Sequence, residues 1–153
     1  FLFKNWPDFD KSLWERELKI CNNSQPIVKK MPTIIGCELD EKIANSAQNN
    51  ILKSGLEKYI EIRNCPFQEF KLPDGKGILV CNPPYGKRIG DENELPLLYK
   101  ELGSFCKKEA SGWDLWLLNG NPNLTKHLGM KATKRFQVNN GSIDCRWLNY
   151  KIK

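Results

Sequence analysis

Apolar positions along the chain alternate between two rhythms. Behind Asp10, the residues Leu13, Trp14, Leu18 and Cys21, with Glu17 among them, recur at helical spacing; Asp10 can cap that helix, and residues 22–25 end it. Thr33-Ile34-Ile35-Gly36-Cys37 is a short apolar run that reads as a buried strand, closed by Glu38-Leu39-Asp40. Asp40 caps a second helix whose inner face is Ile43, Ala44, Ala47 and Ile51, and Gly55 stands where a left-handed helix stop belongs. Tyr59 to Ile62 is a short strand, residues 65–74 are loop, and Ile78 to Cys81 is the next strand, apolar enough to be covered on both faces. Residues 92–108 put Leu95, Leu98, Tyr99, Leu102 and Phe105 on one helical face. Asp114 to Leu118 is a further strand, and Asn123 to Leu128 a short helix stopped by Gly129. Arg135 to Val138 and Ile143 to Leu148 flank Asn139-Asn140-Gly141, and Asn-Gly between two strands is the strongest short hairpin signal.

The order is thus helix, strand, helix, strand, strand, helix, strand, short helix and hairpin. That order predicts one α/β domain over residues 1–153, a mostly parallel three-layer sheet with an antiparallel end. No internal repeat, low-complexity segment or linker divides it. The chain opens on Phe1 rather than Met, and Phe-Leu-Phe-Lys-Asn-Trp is too short and mixed for a signal peptide, so it reads as a piece of a longer protein.

Composition narrows the class only a little. With 40% hydrophobic and 27% charged residues the chain is ordinary globular material, and it holds no run long enough for a membrane helix. Its net charge of +6 suits a polyanionic partner such as RNA and equally a merely soluble surface. Six cysteines (21, 37, 65, 81, 106 and 145) form no C-x-x-C pair; they read as reduced thiols of a cytosolic protein, with Cys37, Cys81 and Cys145 as small apolar residues inside strands. No metal site is expected, and His127, the sole histidine, reads as structural. The five tryptophans read as core, with Trp6 the exception to watch.

The candidate chemistry lies at Gly77-Ile78-Leu79-Val80-Cys81-Asn82-Pro83-Pro84-Tyr85-Gly86. Two prolines cannot donate ladder hydrogen bonds, so the strand stops before them and the backbone stiffens. An amide, proline carbonyls and an aromatic ring are then held at the carboxyl end of a strand, the edge where open α/β sheets bind ligands. Asn82 Oδ1 and the Pro83 carbonyl can accept hydrogen bonds from an exocyclic amino group, while Tyr85 stacks on the ring that carries it.

Asn82-Pro83-Pro84-Tyr85-Gly86 resembles motif IV of the amino-methylating class I S-adenosylmethionine methyltransferases. Further segments resemble one family among them, the THUMP-linked bacterial 23S rRNA guanine-N2 methyltransferases. They are Phe3-Lys4-Asn5-Trp6-Pro7-Asp8-Phe9-Asp10, Ile35-Gly36-Cys37-Glu38-Leu39-Asp40, the extension Lys87-Arg88-Ile89-Gly90, Leu98-Tyr99-Lys100-Glu101-Leu102-Gly103, Gly120-Asn121-Pro122 with Leu128-Gly129, and Asn140-Gly141 with Cys145-Arg146. The resemblance implies a Rossmann-like class I fold and S-adenosyl-L-methionine as cofactor. It also implies a cytoplasmic enzyme acting on 23S rRNA beside an upstream THUMP-type RNA-binding domain. It implies that Asn82, Pro83, Pro84 and Tyr85 are catalytic. Glu38 would hold the cofactor ribose, with Asn82 beside the cofactor too. Cys65, Pro66 and Phe67 would stand at the adenine, where the family usually has an Asp that this sequence lacks. Lys87, Arg88 and Trp6 would touch RNA, although Lys87-Arg88 also reads as a solvated turn. No Gly-x-Gly-x-x-Gly turn is present; in the family it follows a central first strand, which would lie before Phe1, so the domain is expected to be incomplete at its N-terminus. A tRNA guanine-N2 methyltransferase, or a non-catalytic RNA-binding remnant lacking the cofactor loop, stay open as alternatives.

Overall fold

The computed structural model describes residues 1–23, 32–86 and 94–153; Lys87 and Arg88 fall outside the described residues. A 3-10 turn, Leu2–Asn5, leads into helix α1, Lys11–Asn23. Asp10 caps it as expected, its Oδ1 accepting from the Ser12 and Leu13 amides at 2.9 and 3.0 Å. Those hydrogen bonds, the Leu13 amide foremost, hold the Asp10 carboxyl below the usual carboxylate range. The expected inner face of α1 is not buried among the described residues: Leu13 and Leu18 are exposed and Trp14 is half-buried. Trp14 instead packs edge-on against Phe1 and Phe3, closing a small N-terminal aromatic cluster.

Strand β1, Ile34–Glu38, is followed by helix α2, Glu41–Lys53, and strand β2, Ile60–Asn64. Asp40 Oδ1 accepts from the Lys42 and Ile43 amides at 2.8 and 3.0 Å, the N-cap expected of it. Gly55, at φ 67°, terminates α2 in the left-handed region. Ala44 is buried and Ala47 and Ile51 half-buried, but Ile43 is exposed, so the inner face of α2 is narrower than its spacing predicts. β1 and β2 pair in parallel, Ile34 opposite Ile60 through Glu38 opposite Asn64.

The rest of the sheet is strand β3, Ile78–Cys81; helix α3, Leu95–Glu109; strand β4, Asp114–Asn119; helix α4, Pro122–Thr125; and the hairpin of β5, Lys134–Asn140, with β6, Ile143–Lys151. Its order is β3-β4-β6-β5, with β3 parallel to β4 and β6 antiparallel to both neighbours. β5 runs to Asn140, which pairs with Ile143, so the turn is Gly141-Ser142, one residue later than Asn-Gly predicts. Gly141, at φ 62°, supplies the positive φ that such a tight turn requires.

The core lies where β4 and β6 meet α3. Leu115, Leu117 and Asn119 alternate inward along β4, Leu148 and Tyr150 along β6, and Tyr99, Phe105 and Cys106 face them from α3. Each fully buried aliphatic side chain contributes roughly 1.5–3 kcal/mol. Tyr99 is fully buried and its hydroxyl accepts from Asn119 Nδ2 at 2.5 Å, which keeps that polar tip satisfied. α3 also crosses the 3-10 turn Lys126–Leu128 so closely that a Cβ on Gly103 would collide with the Leu128 carbonyl.

The strands do not form one continuous sheet. β1-β2 and β3-β4-β6-β5 are separate, and among the described residues β1 and β3 each lack a strand partner on one edge. This division falls where the family resemblance puts the central first strand. It also corrects the reading of β3 as covered on both faces: Leu79 and Cys81 are half-buried, but Ile78 is 63% and Val80 67% exposed. Ile34, at 46%, and the exposed Cys37 correct the same reading of β1. The physical reason is that an apolar strand is covered only where a neighbouring element reaches it.

Candidate active site

Asn82 follows the last residue of β3 directly, because Pro83 and Pro84 cannot continue the ladder. Neither proline follows a cis peptide bond. The Asn82 residue is exposed, and its side chain makes no hydrogen bond to any described residue. Pro83 and Pro84 are half-buried beside it.

Tyr85 is fixed by three residues far along the chain. Asn140 Nδ2 donates to its hydroxyl at 2.8 Å, and Cys145 Sγ donates at 3.5 Å. Its ring lies on Gly120: a Cβ there would meet the ring at 2.7 Å. The Cys145 contact, chiefly, raises the Tyr85 pKa above its ordinary value, while the Asn140 hydrogen bond opposes that rise, so the phenol stays neutral at physiological pH. Burial pushes the thiol of Cys81, the residue before Asn82, up to about 12; it is an apolar wall and not a nucleophile. Gly120, Asn140 and Cys145 belong to quoted family segments, yet nothing local in the sequence marks them as the holders of Tyr85.

A second group of candidates gathers where β1 and β2 end. Glu38 is half-buried, and its Oε1 accepts from the Asp40 amide at 2.9 Å; among the described residues its second oxygen is free. Asn64 Nδ2 donates to the carbonyls of Glu38 and Leu39 at 2.9 and 3.0 Å, and the Cys65 amide to Glu38 O at 3.1 Å, so this edge is stitched together rigidly. Cys65 and Pro66 are half-buried beside it. Cys37 Sγ donates to the Cys65 carbonyl at 3.0 Å, and desolvation raises the Cys37 pKa to about 11. Phe67 turns away and packs edge-on against Phe105 of α3, 5.7 Å between ring centroids.

The structure therefore assembles two clusters, Glu38 with Cys65 and Pro66, and Asn82 to Tyr85. Trp6, 64% exposed, packs edge-on against Phe3 in the N-terminal aromatic cluster and is tied to neither.

This sequence and this fold are similar to those of known proteins. The profile of a family described as UPF0020, RMKL-like, methyltransferase domain, matches residues 5–149. A Synechocystis sp. protein provisionally named an RNA methyltransferase is 35% identical over 152 residues, 99% of this chain and 39% of that protein. Ribosomal RNA large subunit methyltransferase K/L of Syntrophotalea carbinolica is 33% identical over 155 residues, 98% of this chain and 22% of that protein. Among solved structures, SMU.472, provisionally described as a methyltransferase and crystallised with SAH, aligns at a TM-score of 0.80 and 26% identity, covering 100% of this chain and 40% of that one. The chain thus spans well under half the length of these relatives.

Proposed function

Because the chain belongs to the RMKL-like methyltransferase domain family, we propose that it is the catalytic part of an S-adenosylmethionine-dependent RNA methyltransferase that modifies the exocyclic N2 of a guanine in 23S rRNA. The observation that carries this reading is the exposed amide of Asn82, without a hydrogen bond to the described residues and set before two prolines at the end of β3. The names of the relatives, ribosomal RNA large subunit methyltransferases, support the RNA class, and the match to a structure holding SAH supports the cofactor.

The residues present fit that cofactor on two of three sides. The second oxygen of Glu38 can accept from ribose hydroxyls, and Asn82 would meet the acceptor nitrogen beside the cofactor. The adenine side has Cys65 and Pro66 instead of a carboxylate; main-chain groups of the stitched β2 end are the available partners. Phe67, packed on Phe105, would support that side from beneath. When bound, S-adenosylmethionine supplies an electrophilic sulfonium methyl. The protein's own part is positioning and polarisation. Guanine N2 is a weak nucleophile because its lone pair is conjugated into the ring. Asn82 Oδ1 and the Pro83 carbonyl accept the amino protons, which raises electron density on nitrogen and aims it. Tyr85, immobilised by Asn140, Cys145 and Gly120, stacks on a base that must be unpaired or flipped out. No strong base is required, since the methylated amine is acidic and sheds its proton. Lys87, Arg88 and Trp6, together with an upstream THUMP-type domain, would bind the surrounding RNA.

The test is product analysis. The natural full-length chain, incubated with unmodified 23S rRNA and labelled S-adenosylmethionine, is expected to yield N2-methylguanosine on nucleoside digestion. N6-methyladenosine or N4-methylcytidine in its place would move the assignment to another amine, N2-methylguanosine in tRNA alone would move it to tRNA, and no labelled RNA would overturn it.

A further inference from the structure

A cavity of about 710 Å³ opens beside Tyr85, away from the Glu38 cluster. It is bounded by the end of β4, α4 with the turn that follows, and the hairpin β5-β6. Its rim carries Lys126, Lys131, Arg135 and Arg146, against the single carboxylate of Asp144. That is four positive charges and one negative, a local +3 within a chain of net +6. All four cations are exposed, and among the described residues none is ion-paired. Asp144 is already engaged, accepting from Asn139 Nδ2 at 2.9 Å. Like charges that crowd one concavity repel each other, and among the described lining residues only Asp144 offsets them.

Cations crowded into one concavity without an ion-pair partner are what a nucleic-acid backbone needs, since its phosphates pair with them. The cavity also shares Gly120 and Cys145 with the seat of Tyr85, so a strand lying in it passes one residue from the catalytic loop.

We propose that this cavity is the groove for the RNA backbone next to the target base, with Lys126, Lys131, Arg135 and Arg146 on its phosphates. The proposal rests on the RNA-methyltransferase reading and deepens it, by naming where the strand runs.

The test uses the natural full-length chain and a labelled single-stranded RNA of about 20 nucleotides, followed by fluorescence anisotropy over a series of salt concentrations. The triple variant Lys131→Ala, Arg135→Ala, Arg146→Ala is expected to bind at least tenfold more weakly. Its salt slope should flatten by about 0.7 for each phosphate no longer neutralised, or about 2 in all. The double variant Arg135→Lys, Arg146→Lys, which keeps the charge, is expected to retain most of the affinity. Affinity for S-adenosylhomocysteine should hold in every variant, which excludes a folding defect. Unchanged RNA affinity and slope in the triple variant would overturn the groove, as would a loss seen with duplex RNA but not with the single strand. Labelling of RNA by the unsubstituted protein is read separately: its absence would overturn the enzymatic reading, whatever the groove variants do.

Discussion

Asn82 needs nothing beyond its neighbours to take its position: two prolines end the strand, and the amide is left facing outward. If it accepts the amino protons of the target base, Asn82→Ala in the full-length chain should lower methyl transfer by about two to four orders of magnitude, the scale for removing a preorganised polar contact. Cofactor affinity should barely change; turnover near that of the unsubstituted enzyme would remove Asn82 from the mechanism. Glu38 lends itself to the opposite test. Its free oxygen is proposed to accept from the ribose, so Glu38→Ala should weaken S-adenosylhomocysteine binding about tenfold to a hundredfold, equivalent to roughly 1.5–3 kcal/mol for hydrogen bonds to a charged group. Isothermal titration would read this directly, and an unaltered Kd would place the ribose elsewhere. The caps Asp10 and Asp40, and the place of Asn82 and Glu38 at strand ends, could be read from the sequence because they depend on the adjoining two or three positions. The seat of Tyr85 could not be read this way. Asn140 and Cys145 are separated from Tyr85 by 55 and 60 positions, and Gly120 matters only through the ring that lies on it.

At the scale of the elements, period and punctuation in the sequence located, among the described residues, every strand and every helix of two turns or more. Coverage was less legible. Ile78 and Val80 have the character of a doubly buried strand and are open, because burial belongs to the neighbour as much as to the strand. The crossing of α3 over the turn Lys126–Leu128 is another feature that only tertiary structure reveals. Alanine at Gly103 would gain about 0.5–1 kcal/mol of helix propensity. It would also drive a Cβ into the Leu128 carbonyl, against backbone that has no rotamer to yield. Overpacking of that kind costs about 1–3 kcal/mol, so the clash wins. Gly103→Ala is expected to lower the melting temperature by about 3–10 °C. A higher melting temperature by calorimetry would mean that α3 slides freely over the turn.

For the molecule as a whole, the divided sheet is the dominant fact. β1 and β3 each present an edge without a strand partner among the described residues, beside exposed Ile34, Ile78 and Val80. Unpaired apolar edges are templates for pairing with another chain. The 153-residue chain in isolation is therefore expected to self-associate at micromolar concentration and to bind S-adenosylmethionine weakly or not at all. Light scattering and equilibrium dialysis would check both, and a stable monomer with micromolar cofactor affinity would contradict the placement of the cofactor at the ends of β1 and β3.

The hold of the last hairpin on Tyr85 also sets a timetable. A ribosome delivers Asn82 to Tyr85 some sixty residues before Cys145, and β6, which must enter between β4 and β5, comes last of the described strands. During synthesis the catalytic loop is thus exposed before anything exists to clamp it. Contacts this distant in sequence form slowly, because loop closure must be met before the contact rewards it. The nascent chain stays without a Tyr85 platform until β6 has left the exit tunnel.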